Sequence, residues 1–132
     1  MKQLDVDGSM FDLNYFSEED AFSAICSCNV NSLYVGADNG FLTMLDVRQK
    51  KFTERLNIHD KRINTIDLNQ NSLLMVTSST DATAKVWDVR KLNEGLNISK
   101  LEHGRAVHSA HFSPSGNKIA TCRFISLSLI LS

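Results

Sequence analysis

The sequence predicts an all-β chain assembled from a repeated unit, on three observations. Short apolar runs lie between turn-forming residues, a tetrapeptide returns at a fixed offset, and no stretch with a helical period competes.

The repeat carries most of the prediction. Leu45-Asp46-Val47-Arg48 returns as Trp87-Asp88-Val89-Arg90 at an offset of 42 residues. Upstream, Asp38-Asn39-Gly40-Phe41 aligns with Thr80-Asp81-Ala82-Thr83 at the same offset. His59-Asp60-Lys61-Arg62-Ile63 is echoed by His103-Gly104-Arg105-Ala106-Val107, 44 residues further on. Such periods suit a four-stranded propeller blade of about 40–45 residues and exclude the shorter helical repeats. Within each unit, Leu33-Tyr34-Val35-Gly36 and Leu73-Leu74-Met75-Val76-Thr77 follow Asn-Ser pairs and read as strands covered on both faces. Ser113-Pro114-Ser115-Gly116 is a turn after a further strand, with proline presetting φ and glycine supplying a positive one.

Composition narrows the function. The chain has 132 residues, 42% hydrophobic and 22% charged, with a formal net charge of −1. That balance excludes a basic stripe holding nucleic acid by bulk charge, and leaves only local clusters of cations. Cys26, Cys28 and Cys122 are odd in number and follow no signal segment, which argues against a disulfide framework. Cys26 and Cys28 have no second pair with zinc-ligand spacing. Asn97-Ile98-Ser99 fits a glycosylation acceptor only in a secreted chain. The apolar run Phe124–Ser132 is too short for a membrane span. A nuclear protein is expected, with the cytosol as second choice, and no cofactor.

The spacing of His59 and the Trp87-Asp88 pair resembles the WD-repeat family, whose signature joins a loop histidine to a Trp-Asp dipeptide. The resemblance implies an all-β partial WD-repeat β-propeller of about three four-stranded blades, not closed into a ring. Residues 1–20 are expected to hold a remnant strand of a preceding blade, including Met10-Phe11-Asp12-Leu13. Residues 21–58 form a degenerate repeat, 59–100 a repeat with the full signature, 101–123 an incomplete repeat, and 124–132 an aberrant apolar tail. Exposed strand edges at both ends predict an unstable product or one that needs a partner.

His59, Ser79 and Asp81 invite a hydrolase reading. The resemblance implies a structural one: Asp81 orients His59, His59 bonds Ser79, and Ser79 accepts the Trp87 indole N–H. No oxyanion-hole sequence accompanies Ser79, and the chain is not expected to be an enzyme. The first repeat has Ser17, Ala37, Asn39 and Leu45 at those places, and the third supplies His103. His108 and His111, three apart, would face opposite sides of a strand and so are poor partners for one metal.

The stretch Met75 to Arg90 resembles the box with which WD substrate receptors dock on the adaptor of cullin-RING ubiquitin ligases. It implies adaptor contacts at Trp87, Asp88 and Arg90, with Arg48 repeated one unit earlier; arginine suits such carbonyl and carboxylate partners. The strings from Ile58 to Leu92 and from His103 to Gly116 are similar to the damaged-DNA-binding WD-repeat proteins. That resemblance places Lys61, Arg62 and Arg105 in loops facing DNA, where cations contact phosphates and give affinity without base readout. Partners would be DNA, held weakly by this fragment, and the ligase adaptor, with no membrane and no small-molecule substrate. The alternative is a protein-interaction scaffold without DNA binding.

Overall fold

The computed structural model describes residues 2–4, 10–12, 20–123 and 126–131, with side chains for 20–123. Ser17, Leu13 and the tail positions 124, 125 and 132 lie outside the described residues. Strands β1 (Lys2–Leu4) and β2 (Met10–Asp12) pair with each other as a two-stranded sheet.

Three larger antiparallel sheets follow in chain order. The first is β3 (Phe22–Asn29), β4 (Ser32–Ala37), β5 (Phe41–Asp46) and β6 (Lys51–Asn57). The second is β7 (Ile63–Leu68), β8 (Leu74–Ser79), β9 (Thr83–Asp88) and β10 (Ser99–Glu102). The third is β11 (Val107–Phe112), β12 (Lys118–Arg123) and β13 (Ser126–Leu131). Each is a plain meander and corresponds to one propeller blade; they do not close into a ring. The apolar tail, expected to stand outside the repeat, supplies β13, which pairs with β12 along its length. Backbone pairing asks only for an available edge, so this strand forms without the turn signal that precedes β5 and β9.

Turn chemistry follows the sequence. The Asn69 side chain accepts the N–H groups of Leu73 and Leu74 at 3.1 and 3.0 Å, closing the connection from β7 to β8. Asp88 caps a 3-10 helix, Val89–Glu94, by accepting the Arg90 N–H, and Gly95 ends that helix at φ 70°. Edge strands β6 and β10 carry Lys51, Glu54, Arg55, Lys100 and Glu102, a charged rim that discourages edge-to-edge pairing.

Alternation along the strands explains two-sided burial. Met75 and Trp87, paired in register, join Tyr34, Leu42, Ile58, Ile63 and Ile66 in a cluster between the first and second blades. Val76, Ala84 and Val86 face the other way and meet Val107, Ala110 and Ile119 of the third blade. A bulge at the start of each first strand aims a side chain across the junction. Ser23 Oγ donates to Ile63 O at 2.6 Å, and Asn64 Nδ2 donates to Val107 O at 2.8 Å. Further along β7, Thr65 Oγ1 and Asp67 Oδ2 accept the N–H groups of Ala110 and Phe112 at 3.1 and 2.8 Å.

The meander sorts the loops between two ends. The β4–β5 and β8–β9 turns and the segments passing from blade to blade lie at one, called here the crossing end. The β3–β4, β5–β6, β7–β8 and β9–β10 connections lie at the other. At the crossing end Gly40 has φ 86°, and a Cβ there would come within 1.9 Å of His59 O. Its own carbonyl accepts the N–H groups of both Ile58 and His59 at 3.1 Å. Ala82 occupies the same place one blade on, at φ 71°, and its carbonyl accepts the His103 N–H at 2.8 Å. A left-handed alanine costs about 1–2 kcal/mol, partly offset by the extra freedom glycine gains on unfolding. Ala82→Gly is therefore expected to stabilise the chain by roughly 0.5–1 kcal/mol and Gly40→Ala to destabilise it by more than that, both measured by urea denaturation.

Candidate nucleic-acid interface

The buried network under the crossing end runs through Thr77. Trp87 Nε1 donates to Thr77 Oγ1 at 3.0 Å, and Thr77 Oγ1 lies 2.7 Å from His59 Nε2. His59 Nδ1 lies 2.9 Å from Asp81 Oδ2. One tautomer satisfies every group: the indole donates to the hydroxyl, the hydroxyl to Nε2, and Nδ1–H to the carboxylate. Asp81 also accepts the Thr83 hydroxyl at 2.5 Å and the N–H groups of Thr83 and Asp60 at 2.9 and 3.1 Å.

This corrects the expected role of Ser79. Its hydroxyl neither bonds His59 nor accepts the Trp87 N–H; it donates to Arg62 O at 2.8 Å and accepts the Asp81 N–H at 3.1 Å. Strand geometry gives the reason. Trp87 sits opposite Met75, so Thr77 is its diagonal neighbour, about 7 Å along the strand, whereas Ser79 is about 13 Å away. That spacing was legible in the sequence once the register was known, and it is the signal that would have found Thr77. The three residues therefore do not form a Ser–His–Asp relay, since the hydroxyls at His59 are those of Thr77 and Thr83, both buried, the first accepting the indole N–H and the second donating to Asp81.

The third blade keeps half of the network: Thr121 Oγ1 lies 3.3 Å from His103 Nε2. In the first blade Val35 and Leu45 stand at the Thr77 and Trp87 places, and both are buried; Val35 pairs with Thr43, whose buried Oγ1 has no partner among the described residues. Among the described residues no three His, Cys, Asp or Glu side chains converge as a metal group.

Above the network, the loop from His59 to Arg62 is pinned at every residue. His59 is held by its ring, Asp60 by its N–H on Asp81, and Lys61 and Arg62 by their carbonyls on Ser79 Oγ at 3.2 and 2.8 Å. The Thr80 N–H adds a 3.0 Å bond to Arg62 O. Lys61 and Arg62 are exposed, and Arg105 is exposed in the corresponding segment of the next blade. Arg62 Nε lies 3.5 Å from Asp38 Oδ1, a neighbour from the preceding blade that no spacing in the sequence announces. Asp60 is exposed beside Lys61.

The four residues expected at an adaptor contact lie at or near the opposite end and divide in two. Trp87 is only 2% exposed, so it cannot touch a partner and serves the core instead. Its burial of about 150–250 Å² is worth about 4–6 kcal/mol, of which an unpaired N–H would forfeit about 1–3 kcal/mol. Arg90 is exposed, and its Nε and a terminal nitrogen grip Asp88 at 3.1 Å each. Arg48 is exposed after β5.

Burial pushes His59 below its usual value, although Asp81 beside it pulls the other way. Burial raises the Asp81 carboxyl, but the bonds from Thr83, His59 and the Asp60 N–H outweigh it and hold the group at about 2. Both groups bind protons more weakly in the folded chain than in the unfolded one, so stability falls as pH falls. The His59 share is complete above about 6.5 and fades below it. The Asp81 share fades from 3.8 towards about 2. The urea midpoint is expected to drop between pH 7 and pH 5, and the drop to be smaller in His59→Gln. Thr77→Val, which strands the indole N–H and His59 Nε2, is expected to cost about 3 kcal/mol by the same assay.

Residues 50–88 match the WD domain, G-beta repeat family model. The chain is 39% identical over 94 residues to DNA damage-binding protein 2 of Oryza sativa subsp. japonica, covering 67% of this chain and 16% of that protein. It is 40% identical over 93 residues to Protein DAMAGED DNA-BINDING 2 of Arabidopsis thaliana, covering 66% of this chain and 17% of that one. The chain thus spans about one sixth of the length of these curated relatives. A chain in the crystal structure of a mitotic checkpoint complex superposes with a TM-score of 0.83 at 20% identity, over 97% of this chain and 39% of that one, and shows the shared fold.

Proposed function

The chain belongs to the WD-repeat family, and from that premise we propose that it is a DNA-binding module of the damaged-DNA-binding type. Its crossing end would meet the duplex backbone through Lys61, Arg62 and Arg105. The observation that carries this reading is the pinned loop: Lys61 and Arg105 project from equivalent places one blade apart, and among the described residues neither meets a carboxylate. The likeness to the rice and Arabidopsis proteins supports it. Backbone contacts of this kind give affinity that falls steeply with salt and reads no sequence.

The opposite end would serve as the docking face of a ubiquitin-ligase substrate receptor, with Arg90 and Arg48 as contacts. Asp88 presets the Arg90 guanidinium, and Trp87 acts from behind by holding β9 in place. The reading implies a nuclear protein that performs no catalysis itself. Among the described residues no helix is long and apolar enough to cross a membrane.

A protein-interaction scaffold without DNA binding is the second reading, favoured by the carboxylates Asp38 and Asp60 beside the loop cations. Charge reversal separates the two. Lys61→Glu with Arg62→Glu is expected to weaken damaged and intact duplexes alike and to lower the salt slope by about two, followed by fluorescence anisotropy over a salt series. Unchanged affinity would favour the scaffold.

A further inference from the structure

Lys61 and Arg62 leave the loop side by side, but their surroundings differ. Arg62 Nε lies 3.5 Å from Asp38 Oδ1, with the two side chains 55% and 50% exposed. Asp38 belongs to the β4–β5 turn, so the contact crosses from the first blade to the second. That turn is held on three sides. The Asp38 N–H donates to Ala21 O at 2.8 Å, Asn39 Nδ2 donates to Asp20 Oδ1 at 2.7 Å, and Gly40 O receives the N–H groups of Ile58 and His59, where the loop begins. The carboxylate is therefore presented to Arg62 by a fixed scaffold.

We propose that Asp38 competes with DNA phosphate for Arg62: it occupies the guanidinium in the free protein and yields it on binding, which sets the affinity of this face below what its cations would give. This rests on the reading of the crossing end as a DNA-binding face.

A comparison of anions supports the exchange. The Asp38–Arg62 pair is exposed and joined by one contact at 3.5 Å, longer than a charge-assisted hydrogen bond. Exposed pairs of this kind shift an equilibrium by up to about fivefold. A duplex phosphate can take the same fork with two bonds and releases condensed counterions as it does so. It can therefore displace Asp38, and the lost pair appears as weaker binding. The Arg55–Asp20 pair shows what a locked pair looks like: two bonds at 2.9 and 2.8 Å onto a side chain 4% exposed. At the next junction Thr80 stands in the place of Asp38 and Ala106 in that of Arg62, so the competitor belongs to the first junction alone among these two.

A double-mutant cycle tests this on the full 132-residue chain with a fluorescein-labelled DNA duplex at low salt. Asp38→Asn is expected to tighten binding about two- to fivefold in the parent background and to have no effect in Arg62→Gln. Equal tightening in both backgrounds would mean that Asp38 acts only through overall charge, and would overturn the competitor role while leaving the DNA-binding reading standing. No tightening in a parent chain whose binding depends on salt would overturn it too. If the parent chain shows no salt-dependent binding at all, the DNA-binding reading fails and takes this inference with it.

Discussion

The second blade depends on a single hydroxyl. Thr77 Oγ1 is shared between the Trp87 indole and the His59 ring, and through that ring it reaches Asp81. In a low-dielectric interior each of these groups would be costly alone, and together they leave none unpaired. The arrangement joins four stretches of chain: the segment into the blade, β8, the β8–β9 turn and β9. It lets the blade bury a tryptophan, an imidazole and a carboxylate at one place. The first blade places Val35 and Leu45 at the same positions, with Thr43 paired to Val35, so the two blades share a shape while differing in chemistry.

Neighbouring blades are set against each other by a second repeated device. Each first strand opens with a bulge, and the bulged residue, Ser23 or Asn64, donates to the first carbonyl of the next blade's inner strand. Close approach follows from the small residues nearby: a Cβ on Gly36 would sit 2.7 Å from Ile63 Cγ2. The apolar clusters supply the attraction between sheets, and these directional bonds fix where along the strands it is spent. The crossing-end loops inherit that alignment, so Asp38 and Arg62 meet although they belong to different blades.

Much of this was legible in the residues, and the remainder follows a pattern. Strands, turns and the blade period depend on local chemistry and on spacing, and a sequence carries both. The serine assigned to the network was misplaced because residue type was read without register: Ser79 and Thr77 share a face, and only the pairing of Trp87 with Met75 decides which can reach the indole. Trp87 has two expected roles, one in the buried network and one at a partner surface; at 2% exposure it serves the first, because an aromatic in a two-sided strand is core by geometry. The Asp38–Arg62 contact is absent from the sequence pattern for a different reason. Contacts across blades are set by the packing of sheets, and nothing in a linear spacing announces them.

Ser79, displaced from the network, carries another task. It holds the carbonyls of Lys61 and Arg62, while Asp81 holds the Asp60 N–H, so the buried chemistry of the blade ends in a fixed loop of cations. A chain with a net charge of −1 has no bulk attraction for a polyanion, and at physiological salt charges beyond about 8 Å are largely screened. On the proposed reading, affinity must then come from a few cations whose positions are settled before binding, because ordering them at the moment of contact would spend part of the small gain each one brings. The same screening makes the nearest carboxylates matter most. On that reading the balance at the crossing end is local: Lys61, Arg62 and Arg105 are set against Asp38, Asp60 and Glu102, and the geometry of the first blade junction would decide how much of Arg62 is available.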